Sequence, residues 1–392
     1  MSKIVFFCIP ASGHTNPTLE VVKELVRRGH EVLYYSYDIM KEKIESTGAK
    51  YVSCDQYDCE QKLRPEDAAR VGKDVAFSTN ILVETTLALG EKVCEDMENC
   101  QPDCIVADSM AVWGKAIAWR LGIPFVSSTT TFAFNKESAQ VMKQSFGDLL
   151  KLMFSMPKIN KNIKRLQKAG YPFKNILDLI QNDDKTNTIV YTSKEFQPRS
   201  ETFSEKYCFV GPSIREVTET FPASKQKTVY ISMGTVNNVM LEFYRNCIDA
   251  LKGTDYRVVM SVGALTDILK LGEISENFIV KNSVDQIAVL QQADVFLTHC
   301  GMNSASEGLY FEVPLIMYPQ TAEQGGVARR VSEVGAGIYL EEATPAGIRA
   351  AVEAILANES YRDNAGKISA SFRRSEGSVG AADYILHIAQ GK

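Results

Sequence analysis

The sequence predicts an α/β protein with two doubly wound parallel sheets. Short, continuous apolar runs alternate with amphipathic helical patterns from the start of the chain, as expected where parallel strands are buried on both faces. A polar stretch near the middle interrupts this alternation, which then begins again. The length of 392 residues suits two domains rather than a single core. We therefore predict a first domain over 1–212, a linker over 213–227 and a second domain over 228–375.

The first domain opens with a strand, a loop and a helix. The apolar run Ile4–Ile9 predicts a buried strand, and Pro10–Asn16 predicts the loop after it. Pro17 suits the first turn of a helix, where its missing N–H removes no hydrogen bond. Gly29 ends this helix, and Glu31–Tyr35 predicts the next strand.

The strand–helix unit then repeats. Cys104–Ala107 predicts a strand, Trp113–Leu121 a helix that Gly122 ends, and Pro124–Ser127 another strand. The stretch Thr131–Asn182 has scattered apolar residues and Lys-rich faces, which predict short helices and loops covering a pocket.

The second series follows the polar linker. Tyr207–Pro212 ends the first half, and the charged segment up to Lys227 contains Pro222. Six strands are predicted beyond it, at Val229–Ser232, Arg257–Val262, Phe278–Val280, Val295–Thr298, Leu315–Tyr318 and Ile338–Leu340.

Composition excludes several classes of protein. A net charge of −5 argues against a polyanion-binding surface, so no nucleic-acid partner is expected. No apolar run approaches the ~18 residues of a membrane span, and the run at the N-terminus is too short for a signal peptide. The nine cysteines form no C-x-x-C pair, which favours reduced thiols and a cytoplasmic location over disulfides or zinc. No metal is expected.

Two polar residues follow neighbouring strands in the first half. His14 lies in the predicted loop after the first strand, among small residues that allow a ligand to approach. Asp108 ends the strand Cys104–Ala107, and considered alone it is better explained as a cap of the following helix. Together the two residues indicate a general base, because a carboxylate at one imidazole nitrogen fixes the tautomer and leaves the other nitrogen as proton acceptor.

A second group follows the strand Val295–Thr298. His299, Gly301 and Ser304 precede a helical stretch, and a helix N-terminus with these groups attracts phosphate. Glu307, one turn further on, is placed to accept hydrogen bonds from a ribose. Thr235 follows the earlier predicted strand Val229–Ser232, and we expect it to add a second phosphate contact.

Other chemistries find no motif in the sequence. There is no G-x-G-x-x-G, no G-x-x-x-x-G-K-[ST] and no G-x-S-x-G, so a dinucleotide fingerprint, a P-loop and a hydrolase elbow are absent. No D-x-D pair offers an anchor for a divalent metal.

The segment HCGMNSASEGLYFEVPLIMYPQTAEQ, residues 299–324, resembles the donor-site signature of family 1 UDP-glycosyltransferases. PASGHTNPTLEVVKEL at the front and CFVGPS in the middle are similar to the bacterial macrolide glycosyltransferase branch of that family. This resemblance covers nearly the whole chain. It implies the GT-B fold, with two facing Rossmann-like domains and a cleft between them, and a C-terminal helix within 376–392 that packs back on the first domain.

The resemblance also implies roles for individual residues. His14 would be the catalytic base and Asp108 its partner. The donor-binding residues would be Thr235, Val284, Gln286, His299, Gly301, Asn303, Ser304, Glu307, Glu323 and Gln324, the last two on the sugar hydroxyls.

The base-binding stretch departs from the family pattern. Plant members have W-x-P-Q, where the Trp stacks on uracil, and bacterial members usually keep the Pro. Here the stretch reads Ser283-Val284-Asp285-Gln286. Recognition of the base is therefore expected to rest on backbone contacts, and the choice of UDP over dTDP stays open.

Together these observations predict a metal-independent, inverting glycosyltransferase without a cofactor. It would move a hexose, with glucose as the expected one, from a UDP-sugar to a hydroxyl of an apolar acceptor such as a macrolide, polyketide or flavonoid. Acceptor contacts are predicted at Phe132, Phe134, Phe146 and Met153, with a simple core role as the alternative. A UDP-sugar 2-epimerase and a non-catalytic nucleotide-sugar-binding helper remain as alternative functions.

Overall fold

A computed structural model describes residues 1–56, 74–135, 137–138, 146–180, 182, 185–217, 220–235 and 238–391, and at 146–153, 177 and 180 it describes the backbone alone. Its described residues form two compact units. Unit 1 comprises Met1–Ser213 together with Ser375–Lys392, and unit 2 comprises Ile214–Arg374. The chain therefore leaves unit 1 once and returns to it.

Unit 1 is built on a seven-stranded parallel sheet in the order β3-β2-β1-β4-β5-β6-β7. Its strands are β1 Lys3–Phe7, β2 Glu31–Ser36, β3 Lys50–Ser53, β4 Cys104–Asp108, β5 Phe125–Thr129, β6 Thr188–Val190 and β7 Tyr207–Phe209. The apolar run at the N-terminus makes β1 a central strand, since Phe7 aligns with Tyr35 of β2 on one side and with Ala107 of β4 on the other.

Helices surround this sheet. They are α1 Ser12–Arg27, α2 Lys41–Glu45, α3 Val75–Cys100, α4 Val112–Leu121, α5 Phe146–Lys168, α6 Ile176–Ile180 and, from the end of the chain, Gly377–Ala389, which is α13. Short 3₁₀ turns lie at Asp38–Met40 and Ser200–Thr202.

Unit 2 has a six-stranded parallel sheet in the order β10-β9-β8-β11-β12-β13. Its strands are β8 Thr228–Ser232, β9 Arg257–Ser261, β10 Phe278–Lys281, β11 Val295–Thr298, β12 Leu315–Met317 and β13 Gly337–Tyr339. Its helices are α7 Leu241–Leu251, α8 Gln286–Leu290, α9 Met302–Tyr310, α10 Ala322–Glu333, α11 Pro345–Ala357 and α12 Ser360–Arg374, with a 3₁₀ turn at Ile268–Leu271. The two predicted doubly wound parallel sheets are therefore confirmed.

The predicted loop over Pro10–Asn16 is wrong for most of its length. Helix α1 begins at Ser12, so His14 lies in its first turn and Pro17 lies inside the helix. Pro17 cannot donate to the Gly13 carbonyl and its ring crowds that group, but its fixed φ is already helical. The helix can therefore begin one turn before the residue that marks its start in the sequence.

The stretch Thr131–Asn182 also differs from the prediction of short helices. Helix α5 runs for 23 residues despite Pro157. Ile159, Ile163 and Leu166 recur on one face and are buried with Leu82 and other residues of one apolar cluster. The Lys residues between these positions obscure that helical period in the sequence.

The helix near the C-terminus packs within unit 1. Ala381, Ala382 and Ile385 of α13 are buried in the same core as β1 and α1. The Gly377 N–H donates to the Val210 carbonyl at 2.8 Å, and Asp383 pairs with Arg28. These contacts hold α13 to β1, α1 and the segment after β7, all within unit 1.

The segment predicted as a linker has no helix or strand in its described part but is held to unit 2. Gln292 donates to the Phe221 carbonyl, Arg257 lies over the Phe221 ring, and Arg215 pairs with Asp285. Among the helices the structure describes, none combines the length and the apolar composition needed to cross a membrane.

Candidate functional site

In unit 1, His14 and Asp108 are in contact. The His14 Nδ1 lies 2.8 Å from the Asp108 Oδ2. The Asp108 side chain is fully buried, and 29% of the His14 side chain remains exposed. The other carboxylate oxygen, Oδ1, accepts the Met110 N–H at 2.9 Å. With its hydrogen on Nδ1, His14 has its lone pair on Nε2, the arrangement of a general base.

The topology of the sheet explains why these residues meet. His14 follows β1 and Asp108 ends β4, and the order of strands reverses between these two neighbours. Crevices at such reversal points are the usual ligand sites of doubly wound sheets. Thr130, directly after β5, also reaches this edge, and its Oγ1 lies 3.2 Å from the His14 Nδ1.

In unit 2, His299 is held between two glycines. A Cβ on Gly234 would lie 2.6 Å from the His299 Cε1 and Nε2, and a Cβ on Gly301 would lie 2.6 Å from Nε2. The imidazole is bonded to the Ser232 backbone, yet burial lowers its pKa to about 4. His299 is therefore neutral near pH 7 and can offer a ligand a hydrogen bond but not a positive charge.

The N-terminus of α9 follows His299. Gly301 caps this helix, and Asn303 and Ser304 occupy its first turn, where backbone N–H groups lack acceptors inside the helix. Cys300 has a φ of 64°, a left-handed conformation that costs a non-glycine residue about 1–2 kcal/mol. This tight turn places the imidazole and the helix N-terminus side by side, which suits a phosphate.

Gln286 and Glu307 form the next part of the site. The Gln286 Nε2 donates to the Glu307 Oε2 at 2.5 Å and lies 3.4 Å from the Ser304 Oγ. Its Oε1 accepts from the Tyr230 hydroxyl at 3.1 Å. Burial raises the pKa of the Glu307 carboxyl, while the Gln286 hydrogen bond and the charge of Arg215 lower it. The carboxylate can accept hydrogen bonds from a diol such as ribose.

Asp285, which departs from the family pattern, has two structural roles. Its Oδ1 accepts the N–H groups of Ile287 and Ala288 at 3.0 and 3.3 Å, so it caps α8. The Arg215 guanidinium donates to both carboxylate oxygens, with 2.6 Å between Nη2 and Oδ1 and 3.1 Å between Nη1 and Oδ2. Only 4% of the Asp285 side chain is exposed, whereas 41% of the Arg215 side chain is exposed, so the carboxylate is buried and the guanidinium reaches solvent.

The remaining predicted donor residues lie at the same edge of the sheet. Thr235 follows β8 and is exposed, and Val284 directly precedes Asp285. Glu323 and Gln324 occupy the first turn of α10, beyond β12. The Gln324 Oε1 accepts the Gln320 N–H at 2.7 Å. The structure thus gathers the predicted donor residues at the ends of β8, β10, β11 and β12.

Contact of the four predicted residues with an acceptor stays a prediction. Phe132 is buried and its ring lies 5.5 Å from the ring of Phe196, while Phe134 is half-buried. The side chains of Phe146 and Met153 lie outside the described residues. Phe154, a nearby residue, is 82% exposed.

Three residues that contact the predicted sites are not predicted from the sequence. Thr130 lies in a run of hydroxyl residues, Tyr230 reads as an ordinary core position, and Arg215 lies in a polar segment without a motif. No local signal distinguishes them, because their partners are distant in sequence. Within the described part of the chain, no three His, Cys, Asp or Glu side chains are grouped to hold a metal ion.

Comparison with known proteins adds independent findings. The family model described as "UDP-glucoronosyl and UDP-glucosyl transferase" matches residues 207–374. A Bacillus subtilis protein described as "Uncharacterized UDP-glucosyltransferase YojK" is 33% identical over 406 residues, which cover 100% of this chain and 98% of YojK. The oleandomycin glycosyltransferase of Streptomyces antibioticus is 27% identical over 394 residues, covering 97% of this chain and 90% of that protein.

A solved structure agrees over the whole chain. The glycotransferase of kitacinnamycin superposes with a TM-score of 0.86 at 26% sequence identity. The match covers 99% of this chain and 98% of that one.

Proposed function

The chain belongs to the family of UDP-glucoronosyl and UDP-glucosyl transferases, and from this premise we propose that it transfers glucose from UDP-glucose to a hydroxyl of an apolar natural product. The chain is a glycosyltransferase of the GT-B fold. Its donor sugar, its acceptor and its mechanism are the parts proposed here.

One observation carries the proposed mechanism, the 2.8 Å contact between His14 and Asp108. His14 Nε2 takes the proton of the acceptor hydroxyl as that oxygen attacks the anomeric carbon and the bond to the diphosphate breaks. Asp108 stabilises the imidazolium that forms. A positioned base of this kind contributes ~10²–10⁴-fold, and attack opposite the leaving group inverts the anomeric centre.

The donor is proposed to bind to unit 2. The negative charge that develops on the leaving UDP is stabilised by the N-terminus of α9 with Ser304, by His299 and by Thr235. Glu307 accepts from the ribose hydroxyls, and Glu323 with Gln324 contacts the sugar. These donors provide the stabilisation that a divalent cation supplies in other transferases, so we propose metal-independent transfer.

The acceptor is proposed to be an apolar macrolide, polyketide, flavonoid or other phenol. Support comes from the relatives, one of which is an oleandomycin glycosyltransferase and another the glycotransferase of kitacinnamycin. The partly buried Phe134 and its buried neighbour Phe132 supply apolar surface of the kind that binds such molecules.

The test is a set of reactions that pair UDP- and dTDP-sugars with a panel of phenols and macrolides, read by mass spectrometry. We expect a mass gain of one hexose on an apolar acceptor, with UDP-glucose as the best donor and no loss of activity in EDTA. Transfer only to sugars or nucleic acids, or an absolute need for Mg²⁺, would contradict the proposal.

The same reactions without acceptor address the alternatives. An epimerised sugar nucleotide would favour a 2-epimerase. Tight UDP binding without transfer to any acceptor would favour a non-catalytic helper. The His14–Asp108 pair argues against both, because neither role needs a base for an acceptor hydroxyl.

A further inference from the structure

We propose that Arg215 is a positioning residue for the ribose of the donor, acting through Asp285 and Gln286 on Glu307. This inference rests on the proposed function, since it names how that donor site holds the nucleotide. Arg215 lies in the polar segment before β8 and forms no part of the family signature in residues 299–324.

The first link is the ion pair. Arg215 binds both oxygens of Asp285 in the two-pronged geometry that suits guanidinium and carboxylate. Asp285 is almost fully buried, and a buried carboxylate without a cation is strongly destabilising. Arg215 therefore determines whether Asp285 can stay where it caps α8.

The second link is the residue after Asp285. Gln286 is the first residue of α8, so the position of the cap sets the position of its side chain. That side chain is held at both ends, by the Tyr230 hydroxyl at Oε1 and by Glu307 at Nε2. A shift of the cap would move the amide that orients the Glu307 carboxylate.

The third link is charge. Two carboxylates, Asp285 and Glu307, lie close together, and Arg215 is the cation that acts on both. Tyr230 also faces Glu307. Without Arg215 the negative charge of Asp285 would raise the pKa of Glu307 further, and a protonated Glu307 accepts fewer hydrogen bonds from the 2′- and 3′-hydroxyls.

The experiment compares Arg215→Met with the wild type in the binding of UDP and of 2′-deoxy-UDP, by calorimetry. Loss of a hydrogen bond to a charged group lowers binding affinity by roughly 10- to 100-fold. We expect Arg215→Met to bind UDP more weakly than the wild type by this factor. Its affinity for 2′-deoxy-UDP should fall by a clearly smaller factor. In turnover assays the KM for UDP-glucose should rise while kcat changes little.

Two further variants sharpen the test. The double variant Arg215→Met/Asp285→Asn should regain most of the UDP affinity, because Asn still caps a helix but carries no charge. Arg215→Lys should fall between Arg215→Met and wild type, because Lys keeps the charge but lacks the fork. It provides the comparison if Arg215→Met does not fold, which thermal unfolding would reveal.

Arg362→Met is the matched control, because Arg362 also forms an ion pair within unit 2. Its partner, Asp294, lies directly before β11, whereas His299 and the helix α9 follow the end of that strand. It should bind UDP as the wild type does. Wild-type UDP affinity in Arg215→Met, equal losses for UDP and 2′-deoxy-UDP, or a double variant no better than the single one would each overturn the inference. If the wild-type protein itself neither bound UDP nor transferred sugar, the proposed function would fail instead.

Discussion

Replacing Asp108 by Asn tests the proposed base most directly, because the structure dictates which way the new amide must point. The Met110 N–H donates to Oδ1 of Asp108, and the His14 Nδ1 faces Oδ2. In Asp108→Asn the single amide oxygen is needed by Met110, so the NH₂ group faces Nδ1. Nδ1 must then accept a hydrogen bond, its hydrogen moves to Nε2, and the base is lost.

The magnitude follows from the alternative orientation. Turning the amide over would restore the tautomer but place a donor against the partly buried Met110 N–H, which costs about 1–3 kcal/mol, or roughly 5- to 150-fold in population. The negative charge that stabilises the imidazolium is missing in either case. Together these losses predict a fall in kcat of ~10²–10⁴-fold, the full contribution of a positioned base.

The assay is steady-state glucosyl transfer with a phenolic acceptor, with UDP affinity and thermal unfolding measured alongside. Asp103→Asn is the matched control, because Asp103 binds the Lys3 N–H at an exposed site just before β4 and should leave kcat unchanged. His14→Ala and His14→Ala/Asp108→Asn should be about equally slow, since the two residues act as a unit. An Asp108→Asn enzyme that kept more than about a tenth of wild-type kcat would refute the reasoning.

Three further outcomes are expected. Thr130→Val should lower kcat roughly 3- to 10-fold by removing a neutral hydrogen bond to His14, and Thr130→Ser should retain most of it. Equal rates in the Val and Ser variants would mean that the contact is inconsequential. Gly301→Ala should raise the KM for UDP-glucose at least about 10-fold, because its Cβ would lie 2.6 Å from the His299 Nε2. An unchanged donor KM would show that His299 is not held as described. His299 has a pKa of about 4 in the fold and about 6.5 unfolded, so the unfolded chain binds its proton first as pH falls. This should remove up to about 3 kcal/mol of stability between pH 7 and 4, seen by denaturant unfolding, and His299→Gln should lack that component of the pH dependence.

The sequence predicts the architecture well where strands are central and apolar. Val295–Thr298 is found at its predicted limits, and Arg257–Val262 differs by one residue at its end. Edge strand β3 and the short strand β6 are missed, because three or four residues with mixed polarity carry little periodic signal. The long helix α3 is also missed, although Asp74 directly precedes it and caps it by accepting the Phe77 N–H at 3.0 Å.

The site residues likewise differ in whether the sequence predicts them. The pair His14–Asp108 can be predicted, because both residues follow central strands whose carboxyl ends must meet at one edge. The resemblance to family 1 UDP-glycosyltransferases and their bacterial macrolide branch is confirmed by the relatives. The contacts of Thr130 with His14 and of Arg215 with Asp285 could not be predicted, since they join residues far apart in the sequence.

The return of α13 to unit 1 has a consequence for synthesis on the ribosome. The core that contains β1 and α1 also contains Ala381 and Ile385, which are translated after all of unit 2. At ~5–20 residues per second the delay is on the order of ten seconds. During this time unit 2 can fold while unit 1 waits with an apolar face uncovered. A chaperone would therefore bind unit 1 at this stage, before α13 has been translated. A truncation before Gly377 would leave the same apolar face exposed permanently.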